Sequence, residues 1–410
     1  MYLIIILVFI VGDYILNSAV EIFNVRAIKT NLPEEFLGYY SPDNYKKSQS
    51  YLKDNTYFKI VHSSVKTIGL LLFIFSGAFN FIDKIARSFN LGDIFSGLIF
   101  VGILFLISQV IDIPFSYYHT FIIEEKYGFN RTTLKTFILD IFKSWILTLI
   151  IGGVVISAVI WFFIRMHYWA WLWCWAGVSL FEVFLIFIAP VIIMPIFYKF
   201  TPLENGKLKE EIEKYALSQN FKLKGIFKMD SSRRSNKSNA FFTGLGRHRR
   251  IVLFDTLLKK HTTEELIAIL AHETGHFKKK HNLKLMIIAI ITNGLMFFTL
   301  SLFINNPNLF AAFKMEEVSV YASLVFFSFL YLPINMIFSV FSNIISRSYE
   351  YEADSFAIKT YQNPEAFLLA LKKLSVDNLS NLTPHPLKVF LYYSHPPVLK
   401  RLEVIKNSLA

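Results

Sequence analysis

A single cysteine, Cys174, stands in a chain of 410 residues. That excludes an intramolecular disulfide and a thiolate metal cluster, and its place in an apolar run makes it a packing residue. Charge is scarce as well: Asp, Glu, Lys and Arg make up 18% of the chain, where a soluble domain carries roughly 25%. Aromatics reach 17%, with 43 Phe, more apolar surface than one soluble core can bury. Disorder, collagen and disulfide scaffolds are excluded by composition. The chain reads as an all-α polytopic membrane protein.

Apolar stretches of at least ~18 residues occur over 2–23, 61–82, 91–118, 137–164, 168–197, 283–304 and 318–345. The first lacks a basic leader and a small-residue cleavage site and is read as a span. These stretches divide the chain into a five-span membrane region, 1–198, and a second region, 199–410, that holds the last two spans and the two long polar segments.

Lys and Arg orient the spans. The segments 26–59, 126–143, 199–284 and 347–406 fall on one side and contain 37 basic residues, whereas the opposite loops contain four: Lys84, Arg87, Arg165 and Lys314. By the positive-inside rule the polar segments are cytoplasmic. The net charge of +12 is thereby accounted for without nucleic acid. Asp13, Asn17 and Glu21 recur every four residues on the first span, and Lys66, Gln109, Asp112, Asp140 and Glu182 add polar groups within or at the ends of others. Such groups avoid lipid, either by pairing between helices or by facing a wet cavity.

Thr262 or Thr263 N-caps a helix that runs into His272-Glu273-Thr274-Gly275-His276. Histidines four apart project from one helical face and can bind one Zn²⁺, with Glu273 beside them to deprotonate a bound water. The positions three and six beyond His276 are Lys279 and Asn282, which excludes a metzincin. His281 lies five beyond and falls off the face. A third ligand is sought downstream, where Glu350 and Asp354 share a face: Glu350 to bind metal, Asp354 to hydrogen-bond a ligand histidine. Two spans separate His276 from Glu350, so both end on the same side of the membrane. Glu352 points elsewhere and is read as solvated.

The chain resembles the Ste24-like CAAX prenyl proteases of type 1, zinc metalloproteases of peptidase family M48. Besides the zinc motif, the resemblance rests on Phe121–Asn130 with Thr133 and Asp140, on Pro190 and Pro195–Leu203, on Ser238–Gly244, and on Tyr393-Ser394-His395-Pro396-Pro397 with Arg401-Leu402. It implies seven helices enclosing a chamber, with a gluzincin-like catalytic domain and a small β-element at the cytoplasmic end. His272, His276 and Glu350 would hold one Zn²⁺, Glu273 would be the general base, and Asp354 and His395 would assist. Asn239 and Ala240 would lie on an edge strand that pairs with the peptide, with Arg401 also facing substrate.

The expected activity is therefore endopeptidase cleavage of peptide or protein substrates, prenylated or membrane-associated, beside the cytoplasmic leaflet. The membrane is a bacterial inner membrane, suited to the Phe, Ile, Lys and Asn richness, or the endoplasmic reticulum. A quality-control protease and, in another class, a transporter or scaffold are the alternatives. A transporter has no use for His272, Glu273, His276 and Glu350 on one side. His395 can instead be a helix cap, and Asn239 a plain turn residue.

Overall fold

A computed structural model describes residues 1–220, 224–243 and 250–409. Gly244, the end of the Ser238–Gly244 stretch, lies outside them. Seven described helices are long and apolar enough to cross a membrane: Tyr2–Arg26, Pro42–Ser76, Asp93–Glu124, Leu134–Arg165, His167–Phe197, His281–Ser301 and Val320–Tyr361. Two differ from their apolar runs. The second begins at Pro42, where Ser41 Oγ accepts the Asn44 N–H, so a polar half precedes the apolar one. It also stops at Gly77, whose φ of 75° suits a residue without Cβ. The expected span through Ile82 is thus broken, and Ala78–Ser88 forms a separate helix burying Phe79, Ile82 and Ala86. The seventh runs for 42 residues and leaves the apolar stretch well before its end. Glu350 and Asp354 ride on that polar extension.

A four-stranded sheet, β1 (Phe200–Pro202), β2 (Gly225–Met229), β3 (Ala240–Thr243) and β4 (Arg250–Phe254), has the order β1-β2-β4-β3. β2 and β4 are parallel, and β3 pairs antiparallel with β4 at the edge, Ala240 opposite Leu253. The helix Thr263–Lys278 packs against this sheet and the helices Pro364–Asp377 and Val320–Tyr361. Leu266 to Ala271 are all buried, as expected of a helix with neighbours all round. A second core fills the bundle and includes Cys174, whose thiol donates to the Val159 carbonyl.

The membrane and polar regions are interlocked. The chain after the third span bridges to 234–236: Asn236 N–H donates to Phe129 O at 3.0 Å and Arg131 N–H to Arg234 O at 3.1 Å. Lys237 Nζ reaches Glu124 at 2.8 Å. Polar groups of the spans are paired too. Asp112 meets His62 at 2.8 Å and Lys66 at 3.1 Å, Glu182 accepts from Asn293 at 2.8 Å, and Asp140 meets Arg234 at 2.8 Å. Glu21 and Asn17 bond Lys388 and Tyr392 of the C-terminal segment.

Candidate metal centre

Thr262 caps the helix that carries the motif, and with Glu265 it completes a capping box: Thr262 Oγ1 accepts the Glu265 N–H while Glu265 accepts the Thr262 N–H. One turn from its end, Gly275 lies against the seventh helix. A Cβ there would come 3.0 Å from Ala353 Cα and 3.1 Å from Phe356 Cβ, so only glycine lets the two backbones approach. Sequence spacing carried no signal for this residue beyond its place in the motif.

That approach brings together three groups that could hold a metal ion. His272 Nε2 is 3.2 Å from His276 Nε2, His276 Nε2 is 3.2 Å from Glu350 Oε1, and His272 Nε2 is 3.5 Å from Glu350 Oε2. Two ligands at ~2.0–2.1 Å on a tetrahedral zinc stand ~3.3–3.4 Å apart, a spacing close to each of these contacts between the two imidazoles and the carboxylate. Glu350 Oε2 is moreover buried without a hydrogen-bond partner. The donor set fits a cation.

The surroundings favour positive charge at this point. Burial works against the protonated His272 imidazole, but the carboxylates of Asp354 and Glu350 outweigh it and push the group up to about 9. Asp354 Oδ1 is 2.8 Å from His272 Nδ1, fixing that ring from behind. For Glu273, burial raises the carboxyl pKa above the usual carboxylate range, against the pull of His272 and His276. A carboxyl held that way is a better base than a solvated one.

The other expected site residues fall as follows. His395 Nδ1 lies 2.9 Å from Glu350 Oε1, and its side chain is 66% exposed. It caps no helix, since the next one, Val398–Asn407, has Pro397 at that position. Arg347 holds its segment by donating to Val389 O at 2.9 Å and to Tyr393 O. Arg401 is committed: it donates to Asp354 at 2.9 Å and stands 3.4 Å from Glu350 and 3.3 Å from His272 Nδ1. Asn239 precedes the edge strand, its Oδ1 accepting the Ala240 N–H at 2.8 Å. Glu352 is not simply solvated, as its spacing suggested. Its side chain is 43% exposed and Oε2 lies 3.3 Å from His281 Nε2.

The likeness to known proteins covers the chain in two blocks. Residues 21–199 match the CAAX prenyl protease N-terminal region of five membrane helices, and residues 202–409 match peptidase family M48. The chain is 34% identical to the CAAX prenyl protease 1 homolog of Arabidopsis thaliana, over 97% of this chain and 96% of that one. It is 41% identical to the probable CAAX prenyl protease 1 of Schizosaccharomyces pombe, over 88% and 79%. The crystal structure of S. mikatae Ste24p superposes with a TM-score of 0.94 at 31% identity, over 99% of both chains.

Proposed function

We propose a function from one premise: the chain belongs to peptidase family M48, as an integral-membrane metalloendopeptidase of the CAAX prenyl protease type. The metal is zinc, one per chain, held by His272, His276 and Glu350. The observation that carries this reading is the convergence of His272 Nε2, His276 Nε2 and the Glu350 carboxylate, with contacts of 3.2–3.5 Å, around a Glu350 oxygen that has no hydrogen-bond partner. Zinc supplies Lewis acidity and a bound water with pKa near ~7.

The protein's own groups do the rest. Glu273, adjacent to His272 and raised by burial, takes the proton of the attacking water and returns it to the leaving amine. His395, beside Glu350 yet largely exposed, donates to the carbonyl oxygen as charge develops there. Asp354, clamped by Arg401, holds the His272 ring so that its Nε2 faces the metal. Arg401 therefore acts through Asp354 before it acts on substrate. The substrate adds as a strand along β3, beside Asn239 and Ala240.

The relatives named CAAX prenyl protease 1 support C-terminal processing of prenylated peptides as the substrate class. The surplus of Lys and Arg on one side supports a cytoplasmic catalytic face. The test is cleavage of a farnesylated CAAX peptide by the purified, detergent-solubilised chain, with an unprenylated peptide beside it. Cleavage that 1,10-phenanthroline stops and added zinc restores is expected, with the farnesylated peptide preferred. Chelator-insensitive cleavage would contradict the zinc assignment, and equal use of both peptides would contradict the prenyl preference.

A further inference from the structure

We propose that His281 is a positioning residue for the metal ligand His276, and that Glu352 anchors it. The inference rests on the reading of His272, His276 and Glu350 as metal ligands. His276 turns Nε2 toward His272 and Glu350, each at 3.2 Å. Its other nitrogen, Nδ1, lies 3.1 Å from Nδ1 of His281. One of those two nitrogens must carry the proton. A metal ligand has a bare Nε2, so a neutral His276 keeps its proton on Nδ1 and donates it.

His281 Nδ1 is then the acceptor, and the His281 proton resides on Nε2. That nitrogen faces Glu352 Oε2 at 3.3 Å. The two tautomeric choices agree without a clash along the series carboxylate, His281, His276, metal position. His281 itself is excluded as a ligand, because one ring nitrogen is used by His276 and the other by Glu352.

The placement is built. His281 is fully buried, and its ring stacks on Tyr349 with centroids 4.1 Å apart and planes 2° from parallel. A continuous helix would carry a residue five beyond His276 away from it. Lys280 interrupts the helix with a left-handed φ of 60°, uncommon for a residue with a side chain. The chain restarts as the sixth span with His281 returned beneath His276. His272 is supported by Asp354, so each ligand histidine has its own partner behind the ring. Such partners fix ring orientation and raise ligand basicity, and their loss typically weakens metal binding by ~10–100-fold.

Two variants separate this role from packing. His281→Phe keeps a ring on Tyr349 and removes the acceptor; His281→Asn removes the ring and leaves an amide oxygen near the Nδ1 position. Zinc dissociation constants are measured by competition with a chromophoric chelator on the full chain in detergent, thermal unfolding reporting the fold. The expected result is ~10–100-fold weaker binding for His281→Phe and much of the affinity retained by His281→Asn. Wild-type affinity in His281→Phe, or His281→Asn no tighter than His281→Phe, would overturn the inference. His276→Ala is the reference: if it binds zinc like the wild type, the ligand assignment itself has failed. If it loses zinc while His281→Phe does not, only the positioning role has.

Discussion

Glu273 and Glu350 are the same side chain within electrostatic reach of each other, and their surroundings differ. Glu350 sits among His272, His276, His395 and Arg401 and is a charge for a cation to use. Glu273 has burial as its dominant influence, which suits the proton-carrying role proposed for it. Glu273→Ala is expected to lower kcat for peptide cleavage by roughly 10²–10⁴-fold, the range for a positioned acid-base group, and steady-state kinetics against the wild type checks this. Asp354→Ala frees the His272 ring and is expected to weaken zinc by ~10–100-fold in the same chelator competition. At this scale the sequence was readable where a helix is regular: spacings of four put His272 with His276, and Glu350 with Asp354, on one face of their helices. The contact between His281 and His276 was not legible, because Lys280 breaks the regularity with a left-handed turn that no hydrophobic period encodes.

The element that makes the centre is the contact between the helices Thr263–Lys278 and Val320–Tyr361, and Gly275 sets its closeness. Gly275→Val would place methyl groups against the Ala353 backbone, now 3.0 Å from where a Cβ would stand. Overpacking of this kind typically destabilises by ~1–3 kcal/mol. A lowered thermal midpoint together with weaker zinc binding is therefore expected, since separating the helices draws His276 from Glu350. Thr262→Ala, which removes only the cap, should cost about 1 kcal/mol and leave zinc affinity intact. Existence of the spans was legible from apolar length, and that of the helix Thr263–Lys278 from its capping residue. Their ends were not: Gly77 halts the second span and Pro42 starts it early, because turn chemistry and polar helix extensions lie outside a hydropathy window.

Across the whole molecule, no described span buries more than 17% of its most apolar window within the protein. The ionisable Asp112, Glu182 and Glu21 of these spans are paired, which lowers the cost of placing them in a bilayer. Orientation can be read by labelling. In a Cys174→Ser background, Asn308→Cys should react with a membrane-impermeant thiol reagent on intact cells, and Lys214→Cys only after lysis; the reverse pattern would turn the catalytic face outward. The central claim is that a zinc ion at His272, His276 and Glu350 joins the membrane bundle to peptidase chemistry. Its most direct test is elemental analysis of the purified chain beside Glu350→Ala and Glu273→Ala. About one zinc per chain is expected for the wild type and Glu273→Ala, and little for Glu350→Ala; zinc retained in Glu350→Ala at the wild-type level would contradict the account.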